Sequence, residues 1–149
     1  MLVPDRVRAL IVDDNAYARA ATAATLRKLG IIQITEAETA QEALLQLIAA
    51  PFDVLFMDWY IPDMSGAALL QIIRDPRFGQ NGALPVVLMT AYPSRDVLTK
   101  ARSLGISDAL TKPFTGANVA SALQRVLFGW EIPAEEPLPK AAGDDSVFL

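Results

Sequence analysis

The chain has 149 residues, enough for one domain, and 52% of them are apolar, which excludes a fully disordered protein. It contains no Cys and no His, so disulfides, thiolate or imidazole metal sites, Ser-His triads and phosphohistidine formation on this chain are excluded. The net charge of −4 comes entirely from residues 129–149, which leaves residues 1–128 neutral and argues against a nucleic-acid partner.

Five short apolar segments alternate with five helix-forming segments along the chain. The apolar segments predict buried strands at residues 7–12, 31–37, 53–57, 85–89 and 108–111. The segments that follow them predict helices at residues 15–29, 39–50, 67–74, 94–104 and 115–128. Thr39 with Glu42 three residues later has the form of a capping box, and Gly30 is typical of a residue just past a helix end. The alternation predicts an α/β fold with a parallel sheet covered on both faces.

The end of the sequence differs in composition from the rest. Residues 129–149 combine acids, Pro and Ala without a hydrophobic period, so we expect a folded domain over residues 1–128 and a flexible, acidic, Pro-rich tail after it. No apolar run reaches the roughly 18 residues of a membrane span, and residues 1–12 lack the features of a signal peptide. We therefore expect a cytoplasmic protein that does not associate with membranes.

Polar residues follow four of the five predicted strands. Asp13 and Asp14 come after the first strand, Asp58 after the third, Thr90 after the fourth and Lys112 after the fifth. In an open parallel sheet the carboxyl ends of the strands share one edge, where ligands bind. Three carboxylates, a hydroxyl and an ammonium are therefore expected to meet in one small site.

This set of side chains indicates phosphoryl chemistry. Three neighbouring carboxylates repel one another, and a divalent cation stabilises their ionised forms. Because only oxygen ligands are available, Mg²⁺ is the preferred ion. A carboxylate beside such an ion, a lysine and a hydroxyl can attack phosphorus and form an acyl phosphate.

The motifs resemble those of the receiver domain of bacterial response regulators, whose best-known single-domain member is the chemotaxis regulator. The matching residues are Asp13-Asp14, the run Met57-Asp58-Trp59-x-x-Pro62-x-Met64-x-Gly66, Thr90-Ala91 and Lys112-Pro113-Phe114. The resemblance covers about residues 6–128. It implies a flavodoxin-like, doubly wound (βα)5 three-layer sandwich whose five-stranded parallel sheet has the order 2-1-3-4-5.

The resemblance also implies the roles of the site residues. Asp58 is the expected phosphoacceptor, and Mg²⁺ or Mn²⁺ is expected on Asp13, Asp14, Asp58 and the backbone carbonyl of Tyr60. Lys112 is expected to contact the phosphoryl group and a carboxylate. A further expectation is that Thr90 and Ala91 bind or sense that group.

The expected activity is that of a signalling domain which catalyses only its own phosphorylation and dephosphorylation. The phosphoryl donor is expected to be a histidine kinase or a histidine phosphotransfer protein, and the downstream target is an unidentified protein. We expect a monomer or a weak dimer.

Three positions bear on how the signal is relayed. Receivers usually carry Tyr or Phe three residues before the lysine, and this chain has Ala109 there. The aromatic residue that usually relays the signal is therefore replaced by Ala109. Tyr60 and Tyr92 follow Asp58 and Thr90 by two residues, where side chains border the path of the hydrolytic water in the family, so both are expected to modulate the lifetime of the acyl phosphate.

Other functions fit the sequence less well. The chain could be a receiver detached from a hybrid histidine kinase, or a phosphoryl carrier without the usual conformational switch. A phosphatase of the haloacid dehalogenase type needs a second Asp two residues after the nucleophile, where this chain has Tyr60. A flavodoxin-like flavin carrier needs a Ser/Thr/Gly-rich phosphate loop after the first strand, which is missing.

Overall fold

Five parallel strands form a single sheet within residues 3–127, the part of the chain that this computed structural model describes. The strands are β1 (Arg8–Val12), β2 (Gln33–Ala37), β3 (Val54–Asp58), β4 (Val86–Thr90) and β5 (Asp108–Thr111). The helices are α1 (Ala16–Lys28), α2 (Ala40–Ala49), α3 (Gly66–Arg74), α4 (Arg95–Ser103) and α5 (Gly116–Val126). The strand order is β2-β1-β3-β4-β5, with every neighbouring pair parallel, which confirms the predicted fold class.

The sheet lies between two helical layers, because successive side chains of a strand point to opposite faces. On one face, alternate residues of the strands pack with α1 and α5. On the other, the intervening residues pack with α2, α3 and α4. Strands β1, β3 and β4 are buried over nearly their whole length, which explains why they read as continuous apolar runs.

Most predicted helices begin and end within a residue or two of their observed bounds. The first helix stops because Gly30 adopts φ +96°, a left-handed conformation that suits glycine. The third begins at Gly66 rather than at residue 67, because the Ser65 hydroxyl caps it by accepting from the Ala68 amide. The second strand begins at Gln33, two residues later than predicted.

The predicted capping box of α2 is only half formed. The Thr39 hydroxyl accepts a hydrogen bond from the Glu42 amide at 3.1 Å, as expected. The Glu42 carboxylate, however, accepts from the amide of Glu38, one residue before Thr39. A complete capping box instead opens α5, where Thr115 and Asn118 exchange side chain-to-backbone bonds.

Two predictions, the domain boundary at residue 128 and the absence of a membrane span, can be compared with the structure only over the described residues. Residue 128 and the predicted tail at 129–149 lie outside the described residues, so the division of the chain at residue 128 stays a prediction. Within residues 3–127, no helix combines the length and apolar character that crossing a membrane requires.

Candidate functional site

The strand register brings the polar residues to one edge of the sheet. Val12 of β1 pairs with Met57 of β3, so Asp13 and Asp58 are the next residues on two adjacent strands. Asp58 in turn pairs with Met89 of β4, directly before Thr90. Thr90 pairs with Thr111 of β5, the residue before Lys112.

Three carboxylates converge at this edge. Asp13, Asp14 and Asp58 each offer an oxygen atom, and these atoms lie within 4.8 Å of one another. Asp13 is fully buried, Asp58 is half-buried and Asp14 is exposed, so the cluster opens to solvent on one side. An all-oxygen donor set that is open on one side fits a hard divalent cation that keeps some of its waters.

The Lys112 ammonium bridges two of these carboxylates. Its Nζ lies 2.8 Å from Asp13 Oδ2 and 3.3 Å from Asp58 Oδ2. Burial disfavours the ammonium, but the hydrogen bond to Asp13 and the charges of Asp58 and Asp13 outweigh it and raise the pKa of Lys112. The lysine therefore carries a positive charge at neutral pH.

For the pKa of Asp58, burial outweighs the effect of the neighbouring charges. Burial raises the pKa of its carboxyl group, Lys112 lowers it and the neighbouring charge of Asp13 raises it again, so that the net pKa lies above the usual value. Its Oδ1 accepts a long hydrogen bond of 3.4 Å from the Tyr60 amide. An added cation would favour the ionised form of this group.

Asp13 is held on both of its carboxylate oxygens. Oδ1 accepts from the Asn15 amide at 3.0 Å, while Oδ2 accepts from Lys112. Its backbone is fixed by Arg19, whose guanidinium donates to the Asp13 carbonyl at 2.7 Å and pairs with Glu36 of β2 at 2.9 Å. Sequence reasoning missed Arg19, and its only signal was a basic residue on α1 five positions after the acidic pair.

Thr90 lies buried at the end of β4. Its hydroxyl oxygen accepts from the Tyr92 amide at 3.0 Å, and its carbonyl accepts from the Lys112 amide at 2.8 Å. Ala91, the next residue, is exposed at the mouth of the site. Tyr60 and Tyr92 are 56% and 72% exposed, so both residues face solvent near this edge of the sheet.

Ala109 lies in β5, where it pairs with Leu88 of β4. It is 2% exposed and packs into the core formed with α2, α3 and α4. The position where the family usually carries an aromatic ring is therefore filled here by a small, buried side chain.

The loop after Asp58 is closed at its base. Tyr60 and Ser65 form an isolated antiparallel bridge, and the Gly66 amide donates to the Trp59 carbonyl at 2.9 Å. Trp59 is 8% exposed, and its ring packs directly over Gly66. Residues 59–65 enclose a shallow concavity of about 320 Å³.

The sequence over most of the described residues matches a known family. A family described as the response regulator receiver domain matches residues 9–124. The chain belongs to this family. It is thus a signalling domain of two-component systems, as the motifs at its strand ends predicted.

Individual relatives of this receiver agree with that assignment. The chemotaxis protein CheY of Pseudomonas aeruginosa is 34% identical to it over 121 residues, which cover 80% of this chain and 95% of the relative. The chemotaxis protein CheY-3 of Vibrio cholerae is 33% identical over 120 residues, which cover 80% and 91%.

Solved structures show the same architecture. The chemotaxis response regulator CheY4 of Vibrio cholerae superposes with a TM-score of 0.73 at 28% identity, covering 81% of this receiver and 98% of that chain. The receiver domain of a sensor histidine kinase from Pseudomonas aeruginosa gives a TM-score of 0.72 at 27% identity, covering 80% and 96%. That crystal structure has a magnesium ion coordinated in its active-site cleft.

Proposed function

We propose that this receiver accepts a phosphoryl group on Asp58 in the presence of Mg²⁺ or Mn²⁺ and signals through a phosphorylation-dependent protein contact. The observation that carries the proposal is the Lys112 ammonium, which bridges Asp13 and Asp58 inside a cluster of three carboxylates. An arrangement of a carboxylate beside further anions and a positively charged side chain supports phosphoryl transfer, with Asp58 as the proposed nucleophile.

The proposed metal ligands are the carboxylates of Asp13, Asp14 and Asp58 and the backbone carbonyl of Tyr60. Support comes from the mutual distances of the three carboxylates and from the magnesium ion in the related histidine-kinase receiver. When bound, the cation would neutralise charge on the phosphoryl oxygens.

In the proposed reaction, an Asp58 carboxylate oxygen attacks the phosphorus of a phosphohistidine on a histidine kinase or phosphotransfer protein. The P–N bond breaks as the new P–O bond forms, and the released imidazole takes a proton from solvent. Lys112 does not supply this proton, because its raised pKa keeps it an ammonium that would stabilise the phosphoryl oxygens. The Thr90 hydroxyl and the Ala91 amide are the proposed donors to the transferred group.

The phosphoryl group is lost from Asp58 by hydrolysis. Water attacks phosphorus, the P–O bond to Asp58 breaks, and a proton passes to solvent, so that the domain catalyses only its own phosphorylation and dephosphorylation. Tyr60 and Tyr92 lie at the mouth of the site, and we propose that their rings restrict the approach of this water. The acyl phosphate is then comparatively long-lived.

The readout requires an element that responds to the new charge. Since Ala109 offers no ring, we propose that residues 90–95 carry the change from the Thr90 hydroxyl through Tyr92 to α4, which docks an as yet unidentified protein. The protein would act in the cytoplasm as a monomer or weak dimer, with residues 1–128 as the receiver and residues 129–149 outside it.

A second candidate function also has Asp58 as the phosphoacceptor, but in a receiver derived from a longer protein. The similarity to a receiver that belongs to a sensor histidine kinase favours a domain related to those of hybrid kinases. A receiver without an aromatic switch at Ala109 would then act as a phosphoryl carrier. The length of the native reading frame distinguishes a detached domain from an independent regulator.

The test of the proposal is intact-mass spectrometry after incubation with acetyl phosphate. We expect one phosphoryl group to be added to the wild type with Mg²⁺ present and none in EDTA. Asp14→Asn should need more Mg²⁺ for the same labelling, because one anionic ligand is lost. Equal labelling with and without metal would overturn the proposed site.

A further inference from the structure

The loop that follows Asp58 is attached at its tip to a different part of the fold. Asp63 lies at this tip, and its two carboxylate oxygens accept hydrogen bonds from the first two amides of α2. The Ala40 amide donates to Oδ1 at 2.9 Å, and the Gln41 amide donates to Oδ2 at 3.0 Å. A carboxylate that accepts amides at a helix start is stabilised in its ionised form by these bonds and by the helix dipole.

These contacts are the second cap on the same helix. Thr39 already caps α2 from within the chain by accepting from the Glu42 amide. The amides of Ala40 and Gln41 would otherwise have no partner in the helix, because the first four amides of a helix lack one. Asp63 therefore joins the loop and the helix through groups that are 22 and 23 residues apart in sequence.

The same loop carries groups that face the acceptor. Its base is closed by the Tyr60–Ser65 bridge, and the Tyr60 amide donates to Asp58 Oδ1 at 3.4 Å. Only four residues separate Asp58 from Asp63, so a fixed tip limits the conformations open to the backbone at Tyr60. Pinning both the base and the tip preorganises this backbone.

From this geometry we infer that Asp63 is a positioning residue for the metal and phosphoryl site. It acts through the backbone of residues 59–65, which it fixes by clamping the loop to the start of α2. The inference rests on the proposed function, since it assigns the Tyr60 carbonyl to the metal. A loop released from α2 would visit the binding geometry for part of the time, and metal affinity would fall in proportion to that fraction.

The experiment compares Asp63→Ala with Thr39→Ala by two measurements. Each variant removes one cap from the same helix, but only Asp63→Ala releases the loop. Amide hydrogen exchange on the metal-free proteins should show faster exchange at Tyr60 and Gly66 in Asp63→Ala and unchanged exchange there in Thr39→Ala. Calorimetric Mg²⁺ titration should give a dissociation constant raised about 3- to 10-fold in Asp63→Ala and unchanged in Thr39→Ala.

The variant Asp63→Asn distinguishes the effect of loop position on Mg²⁺ affinity from the effect of the Asp63 charge. It keeps the shape of the side chain and one amide oxygen, so we expect a smaller rise in the dissociation constant than in Asp63→Ala. In 1 M salt, where the Debye length is about 3 Å, an effect caused only by the lost charge would disappear, whereas an effect of loop position would persist.

The two hypotheses fail in different ways. Wild-type protein that binds no Mg²⁺ would overturn the proposed function, while the exchange data would still decide whether Asp63 holds the loop. Wild-type protein that binds Mg²⁺, with Asp63→Ala and Thr39→Ala equal in both exchange and affinity, would overturn the positioning role alone.

Discussion

Replacing Gly66 by Ala should destabilise the protein by disturbing the loop next to the phosphoacceptor. Gly66 is the first residue of α3, and a Cβ built on it would lie 2.8 Å from Trp59 Cε3 and 2.9 Å from the Trp59 carbonyl oxygen. Non-bonded carbon atoms pack best at about 3.5–4.0 Å, so the contact with the ring is too short by about 0.7 Å or more. The backbone contact cannot be relieved by a side-chain rotation, and overpacking of this kind costs about 1–3 kcal/mol.

Gly116 provides the matched control. It is also the first residue of a helix and also follows a hydroxyl N-cap, but a Cβ there would lie 3.9 Å from Thr25 Cγ2, an ordinary contact. Since Ala is a better helix former than Gly, Gly116→Ala should be neutral or stabilising by up to about 1 kcal/mol. The two substitutions are the same in chemistry and differ in the space around the new methyl group.

Urea unfolding followed by circular dichroism measures both effects. Trp59 emission, recorded in a Trp130→Phe background because the chain has two tryptophans, reports whether the ring has moved. We expect a lower urea midpoint and a shifted emission maximum for Gly66→Ala only. Equal midpoints for the two Ala variants, with unchanged Trp59 emission, would refute the packing argument.

Three further predictions concern the core, the lifetime of the acyl phosphate and the switch. Asn81→Leu should lower the free energy of unfolding by about 2–4 kcal/mol in urea titrations. The buried Asn81 side chain donates to the carbonyls of Leu47 and Ala50 and accepts from the Phe52 amide, and Leu would leave these three backbone groups without a partner. Replacing Tyr60 and Tyr92 together by Ala should speed loss of the phosphoryl group about tenfold, equivalent to about 1.4 kcal/mol of barrier, as followed by intact mass over time; an unchanged decay would discard the shielding role. Beryllofluoride, a mimic of the acyl phosphate, should shift NMR signals of residues 90–95 while the Ala109 amide shifts little; changes confined to the phosphoryl ligands would favour a carrier over a switch.

The site could be predicted from sequence because its geometry follows from the parallel sheet. Each of its polar residues lies at the end of a buried strand or directly after it: Asp13, Asp58, Thr90 and Lys112. Parallel strands place their carboxyl ends side by side. The alternation of strands and helices fixes this arrangement before any side chain is placed. The fold class and the convergence of charge therefore needed only local patterns.

The residues that hold the site in place could not be predicted in this way. Arg19, Asp63 and Asn81 bind backbone groups 6, 22 to 23 and 29 to 34 residues away, and their partners are carbonyls and amides that any sequence supplies. Which of these groups lies within reach depends on the paths of loops, and local sequence patterns do not fix those paths.

Chemical trapping of the acyl phosphate tests the central claim most directly. Borohydride reduces an aspartyl phosphate to homoserine, and tandem mass spectrometry of the digested protein then locates the modified residue. After treatment with acetyl phosphate and Mg²⁺, homoserine should be found at position 58 in the wild type and nowhere in Asp58→Asn. Homoserine at Asp13, Asp14 or another carboxylate in place of Asp58, or a labelled protein without any, would contradict the assignment of Asp58 as the phosphoacceptor.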